Sequence, residues 1–242
     1  MLNPVNAANS LHREGRSHPG DERVGELVDR VHSEPWLTQA LDAVATSGLP
    51  DVWIGAGVIR DVVWGQLNGG FDPAEVNDID VAFFDPGDLS RERDHVAEVR
   101  LSALLDRPWE ATNQAAVHTW YPEHFGGPDV PAFSCVHDAV CTWPETATCV
   151  AVRMTPSGTD VCAPCGLADL LDGIWRRNPA RVSVEFSAAR LARHRVTEAL
   201  AERDCHSAAQ LRPLARPLVT KPRSRLLSSG GSLAKPGATV GR

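Results

Sequence analysis

Two acidic residues on alternate positions of an apolar segment are the first sign of chemistry in this chain. Asp78 and Asp80 flank Ile79 in the sequence DIDVAFFD, which is rich in strand-forming residues. Side chains two positions apart on a strand project from the same face, so both carboxylates can meet one or two divalent ions. Carboxylate oxygens are hard ligands suited to Mg²⁺ or Mn²⁺. The spacing therefore predicts a metal site at Asp78 and Asp80.

A second motif precedes this pair in the sequence WIGAGVIRDVVWG. Gly55, Ala56 and Gly57, which we call the glycine turn, lie where a short strand is expected to lead into a helix. Small residues let backbone N–H groups approach a phosphate closely, and the N-terminus of the helix attracts the same anion. Arg60, one turn into the helix, is expected to bind phosphate or to brace a carboxylate.

Each motif alone is weak. A G-x-G sequence at a strand-to-helix junction most often reflects close packing, and a D-x-D sequence at a strand end is commonly solvated. Together they carry more weight, because two neighbouring carboxylates repel each other unless a cation lies between them. A dinucleotide-binding fingerprint fits less well, because residues 57–60 read Gly-Val-Ile-Arg and lack its final glycine.

The elements around these motifs alternate between helix and strand. Apolar periodicity, Pro35 and Gly48 predict a helical pair, and turn residues separate the later segments. Helices are predicted at 21–33, 35–48, 58–67, 88–106 and 182–204, strands at 51–55, 78–85 and 147–154, a strand leading into a turn at 108–118, and a strand-to-helix passage at 160–174. This order predicts an α+β fold with a small mixed β-sheet flanked by helices.

Charge divides the chain into three parts. The formal net charge is −7, but the residues after Asp204 contain seven Lys or Arg and no Asp or Glu, so residues 1–204 carry −14. We expect a disordered N-terminal segment over 1–20, a folded domain over 21–204 and a disordered basic tail over 205–242. An acidic body argues against a nucleic-acid-coating surface, which leaves only the tail for nucleic acid.

Composition also limits the compartment and the role of the cysteines. With 43% hydrophobic residues the chain can bury a core, and it lacks both an apolar run long enough for a membrane span and the apolar stretch of a secretory signal. We therefore expect a cytoplasmic protein with no membrane partner. Cys162 and Cys165 have the C-x-x-C spacing of a zinc or thiol redox site, but small buried side chains are the stronger interpretation.

The combination AGVIRD followed by DIDV resembles the signature of the DNA polymerase β-like nucleotidyltransferase superfamily, which includes the tRNA CCA-adding enzymes. The chain is similar also to a bacterial group of nucleotidyltransferase-family proteins, through WEATNQAAVH, WPETAT and APCGLADLL. This resemblance covers about residues 35–185. It implies a polymerase β-like fold. Since Ala56 stands in place of a usual glycine, we expect it to keep a negative φ.

The resemblance also implies roles for particular residues. Asp78 and Asp80 would bind the catalytic metal, Gly57 would lie in the nucleotide-phosphate turn, and a third carboxylate would complete the site. Glu110 is the first choice for that carboxylate, with Glu145 and Asp160 as alternatives.

The activity implied is transfer of a nucleoside monophosphate from an NTP to a hydroxyl acceptor of unknown identity, with Mg²⁺ or Mn²⁺ and release of pyrophosphate. A catalytically silent nucleotide-binding or antitoxin-like partner module is the alternative.

Overall fold

The computed structural model describes residues 19–125 and 130–193. Pro19 and Gly20 begin the first helix, while the other residues of the predicted N-terminal segment and the whole basic tail lie outside the described residues. The same holds for residues 194–204 of the predicted domain. Within the described ranges, no helix combines the length and apolar composition that crossing a bilayer demands.

A five-stranded mixed sheet organises the described residues. Its strands are β1 Trp53–Gly55, β2 Ile79–Phe83, β3 Trp109–Asn113, β4 Ala151–Thr155 and β5 Gly158–Cys162. The spatial order is β3-β2-β1-β4-β5, with β2 and β3 parallel and the other neighbours antiparallel. This arrangement confirms the predicted α+β class and small mixed sheet.

Eight α-helices accompany the sheet in this part of the chain. They are α1 Pro19–His32, α2 Pro35–Thr46, α3 Gly57–Leu67, α4 Arg91–Leu104, α5 Val117–Phe125, α6 Val136–Val140, α7 Ala168–Leu171 and α8 Val184–Arg193. Single turns of 3-10 helix lie at Pro73–Glu75, Gln114–Ala116 and Thr146–Thr148.

The two faces of the sheet bury different sets of side chains. Ile54, Val81 and Val152 belong to a large core that includes α1 to α4, whereas their neighbours Ala82 and Ala151 belong to a smaller cluster with α6. Since successive side chains of a strand point to opposite faces, the helices α1 to α4 cover one face and α6 covers part of the other.

Two predicted segments differ from the structure. The strand predicted at 147–154 begins only at Ala151, because residues 146–148 form a 3-10 turn. The segment after Asn113 continues through a 3-10 turn into α5, a helix that the sequence pattern did not indicate and that contains Pro122. Proline disfavours a helix interior, which explains why the apolar pattern there did not suggest one.

A buried ion pair attaches α8 to the rest of the structure. The carboxylate of Glu145, which has no solvent exposure, accepts from Arg190 Nε at 2.7 Å and from Arg190 Nη2 at 3.1 Å. The Thr148 hydroxyl donates to the same carboxylate at 3.3 Å. Because removing one member of such a pair leaves a buried charge, the two residues depend on each other.

We predict that Arg190→Met lowers the free energy of unfolding by about 3 kcal/mol, because the buried Glu145 carboxyl loses its partner. Urea denaturation measures this loss. The double variant Glu145→Leu/Arg190→Met should recover most of it, since no charge is then left unpaired. As a control, Arg30→Met removes the more exposed pair with Glu26 and should cost about 1 kcal/mol or less. Equal losses in the two single variants would contradict the prediction.

Candidate active site

Three carboxylates meet at one end of β2 and β3. Oxygen atoms of Asp78, Asp80 and Glu110 all lie within 4.8 Å of one another, and we call these three residues the carboxylate cluster. Asp80 and Glu110 are direct partners in the parallel pairing of β2 and β3. Asp78 immediately precedes β2, and Ile79 between the aspartates is fully buried in the helix-covered core. The two aspartates therefore share a face, as the alternate spacing predicted.

The three candidates for the third carboxylate lie in different surroundings. Glu110 joins the aspartates and is exposed to solvent. Glu145 is buried in its ion pair with Arg190. Asp160 lies on β5, at the opposite edge of the sheet from β3, and binds Arg153. Of the three candidates, the structure brings only Glu110 to Asp78 and Asp80.

The glycine turn lies directly against the carboxylate cluster. The Gly57 N–H, at the N-terminus of α3, donates to Asp80 Oδ2 at 2.9 Å. A Cβ at position 57 would lie 3.1 Å from that same oxygen, so a larger residue would crowd the aspartate. The turn and the aspartate pair, which are separated by more than 20 residues in sequence, thus form one site.

The other two residues of the turn are engaged in packing and backbone structure. A Cβ on Gly55 would come within 2.8 Å of the Trp143 ring and of the Val150 carbonyl oxygen. The Ala56 N–H donates to that carbonyl oxygen at 3.0 Å. Gly57 therefore supplies the amide of the turn that faces the carboxylates.

The expectation of a negative φ at Ala56 is wrong. Its φ is +55° and its ψ is −122°, a combination that favours glycine. Ala56 directly follows β1, where its N–H donates to the Val150 carbonyl oxygen. Its own carbonyl oxygen accepts from the Arg60 N–H at 3.3 Å in the first turn of α3. The abrupt change from strand to helix imposes the positive φ.

Arg60 is buried beside the cluster. Its side chain is 3% exposed, and its guanidinium lies 5.8 Å from the ring centroid of Trp64 and 5.7 Å from that of Trp175. Arg60 Nε donates to Asp61 Oδ1 at 2.8 Å. Of the two roles expected for Arg60, bracing a carboxylate agrees with this contact. The sequence did not predict the contact with Trp175, because this residue is far from Arg60 along the chain.

The electrostatics of the cluster follow from its crowding. Burial, together with the charges of Asp78 and Glu110, raises the pKa of Asp80 to about 7, although the Gly57 amide and Arg60 act in the opposite direction. Burial also raises the pKa of Asp61, against the influence of Arg60 and with a contribution from Asp78. The surroundings thus disfavour the charged form of Asp80, and a bound cation would stabilise it.

The cysteine motif does not form a comparable site. Cys162 is buried at the end of β5, where burial raises its thiol pKa to about 11, and Cys165 is exposed. Among the described residues, the carboxylate cluster is the one group of three or more Cys, His, Asp or Glu side chains with ligand atoms this close together.

The sequence matches the family model described as nucleotidyltransferase over residues 42–202. The chain belongs to the nucleotidyltransferase family. The fold of this nucleotidyltransferase resembles that of a solved protein described as "The NMR structure of the protein reveals a CCA-adding enzyme head domain", with a TM-score of 0.58 and 29% sequence identity. The similarity covers 70% of this chain and 88% of that one. No curated protein matches the sequence.

These findings confirm the predicted superfamily and fold. They also support an enzyme of nucleotidyl transfer over the silent partner module that the sequence had left open.

We predict that Ala56→Gly raises the free energy of unfolding by about 1 kcal/mol, because glycine adopts the observed positive φ without strain. Chemical denaturation measures the change. The control Ala45→Gly, at an exposed position near the C-terminal end of α2, should lower stability by up to about 1 kcal/mol. Destabilisation by both substitutions would show that Ala56 is not strained.

We predict that Asp80→Asn stabilises the protein at pH 8 in the absence of divalent ions. An unfolded aspartate ionises near pH 4, whereas folded Asp80 keeps its proton up to about pH 7. The folded state therefore binds more protons between these values, and wild-type stability falls as pH rises through this window. Asparagine removes the penalty, which is on the order of 4 kcal/mol.

Melting temperatures in EDTA at pH 8 and pH 4.5 test this prediction. The gain from Asp80→Asn should be large at pH 8 and small at pH 4.5, while Asp42→Asn on the exposed side of α2 should show no such pH dependence. A lower melting temperature for Asp80→Asn than for wild type at pH 8 would contradict the account.

Proposed function

We propose that this nucleotidyltransferase moves a nucleoside monophosphate from an NTP to a hydroxyl group of an acceptor and releases pyrophosphate. The observation that carries the proposal is the carboxylate cluster beside Gly57. Family membership supports nucleotidyl transfer in general. The metal requirement, the NTP donor and the hydroxyl acceptor are the finer parts of the proposal.

Asp78 and Asp80 are the proposed ligands of Mg²⁺ or Mn²⁺. Their oxygens are the hard donors that these ions prefer. Burial, together with the charges of Asp78 and Glu110, raises the pKa of Asp80 to about 7, and a bound cation would offset this effect. The residues therefore fit a divalent cation. When bound, such an ion would neutralise the negative charge on the phosphate oxygens of the nucleotide.

Glu110 is proposed as the group that receives the proton of the acceptor hydroxyl. It lies opposite Asp80 in the sheet and is exposed, so an acceptor can reach its carboxylate. The hydroxyl oxygen forms a bond to the α-phosphorus as the bond to the bridging oxygen of pyrophosphate breaks. A carboxylate held at the attacking oxygen makes this step faster by accepting the proton.

The glycine turn is proposed to bind the phosphates of the nucleotide. The support is strongest for Gly57, whose N–H points toward the cluster from the N-terminus of α3. Gly55 and Ala56 shape the turn through their contacts with Trp143 and Val150. Arg60 contributes positive charge next to the cluster from its buried position.

We predict that Glu110→Gln lowers the transfer rate by about 10²-fold or more, because the hydroxyl proton loses its acceptor. Asp78→Asn and Asp80→Asn should abolish transfer and also weaken Mn²⁺ binding by at least about tenfold, whereas Glu110→Gln should weaken Mn²⁺ binding less. Pyrophosphate release with each of the four NTPs, over a panel of RNA and small-alcohol acceptors, measures the rate. Calorimetry measures Mn²⁺ binding separately.

Asp42→Asn is the matched control, since it removes an exposed carboxylate outside the site. Wild-type turnover in both Asp78→Asn and Asp80→Asn would reject the proposed function. Wild-type turnover in Glu110→Gln alone would reject the role of Glu110 and leave the metal ligands in place.

A further inference from the structure

Arg181 belongs to the segment that joins α7 to α8, and its side chain lies near two aromatic rings. Its guanidinium carbon is 4.0 Å from the centroid of Tyr121 on α5 and 5.9 Å from that of Phe133. Both rings lie within the distance at which a guanidinium makes cation–π contacts through its faces. Such contacts leave its in-plane N–H donors to find other partners.

The donors on one edge of this guanidinium have none among the described residues. Arg181 Nε and Nη2 are both shielded from solvent and make no hydrogen bond in this part of the chain. These two atoms form the side-on fork with which arginine binds a carboxylate or phosphate through two parallel hydrogen bonds.

The same two atoms bind a carboxylate elsewhere in this protein. Nε and Nη2 are both used in the pairs Arg190–Glu145, Arg176–Asp169 and Arg153–Asp160. Arg181 presents the fork in similar form, yet no carboxylate of the described residues occupies it. Arg181 therefore differs from these three arginines in having no acceptor at this edge among the described residues.

An unpaired buried charge is energetically costly. Burial lowers the pKa of Arg181, which shows that its surroundings disfavour the charged form. A buried donor without an acceptor lowers stability, and more so when it carries charge. An arrangement that only fastened α5 could use an apolar side chain and avoid this cost.

We propose that the Nε–Nη2 fork of Arg181, between Tyr121 and Phe133, is a binding site for a phosphate or carboxylate group of a ligand. Two coplanar oxygen atoms of the anion would accept from the two donors. This site is separate from the carboxylate cluster and goes beyond the proposed transfer reaction.

The segment that carries Phe133 provides the way in. Because both donor atoms are shielded, an anion can reach them only when one wall moves. Residues 130–133 belong to no helix or strand, and the Phe133 side chain is only partly buried. Tyr121 lies on α5, so the side of Phe133 is the wall with fewer backbone constraints.

The test compares anion binding in three variants. Arg181→Lys keeps the charge but removes the fork, Arg181→Met removes both, and Arg176→Lys is the matched control because Asp169 already fills that fork. Melting temperature and calorimetry are measured in a chloride buffer with EDTA during titration with inorganic phosphate, then with acetate. Sodium chloride at equal ionic strength corrects for general salt effects.

We expect phosphate or acetate to raise the melting temperature of wild type and of Arg176→Lys. Binding should weaken by at least about tenfold in Arg181→Lys and disappear in Arg181→Met, since a lysine cannot form the two parallel bonds. The stronger of the two anions identifies the preferred group.

Three results would overturn the proposal. The first is an anion effect of equal size in wild type, Arg181→Lys and Arg181→Met. The second is no effect in wild type beyond that of sodium chloride. The third is a clear loss of stability in Arg181→Met in chloride buffer without phosphate or acetate. If Nε and Nη2 are unpaired there, methionine should leave stability unchanged or raise it, because it keeps the apolar stem and removes the two shielded donors.

Discussion

The mutual repulsion of three carboxylates is the constraint on which the rest of the site depends. Asp78, Asp80 and Glu110 would separate in water, but the pairing of β2 with β3 fixes Glu110 opposite Asp80. The large core under the sheet holds these strands in place through Ile79 and Val81. Folding energy thus maintains a crowded group of carboxylates that a bound cation would stabilise.

The glycine turn reaches the same point through a different part of the sheet. β1 runs antiparallel to β2, so the end of β1 lies beside the start of β2 and delivers Gly57 to Asp80. The Gly57 N–H donates to Asp80 Oδ2 at this point. A triphosphate at this amide and a cation at the aspartate would occupy adjoining positions, which is the arrangement that phosphoryl chemistry needs.

Local sequence predicted the parts of the site that depend on strand period and small residues. Asp78 and Asp80 share a face because a strand repeats every two residues, and the turn at 55–57 follows from glycine content. Glu110 could only be one of three candidates, since its selection depends on a pairing between strands about 30 residues apart. Glu145 and Asp160 lie in ion pairs with arginine instead, and the sequence alone does not identify these partners.

Other features were set by tertiary structure against local preference. Ala56 takes a positive φ because β1 and α3 both constrain it, and Arg60 is buried because Trp175 arrives from a distant segment. The helix α5 forms despite Pro122. In each case the missing information was a long-range contact, which residue pattern alone does not contain.

The most direct test of the central claim is X-ray diffraction from crystals soaked in Mn²⁺ with a non-hydrolysable NTP, recorded at the manganese absorption edge. The account predicts anomalous density among the oxygens of Asp78, Asp80 and Glu110, with the triphosphate next to Gly57. Saturating Mn²⁺ that left this position empty, or bound elsewhere together with the nucleotide, would contradict it.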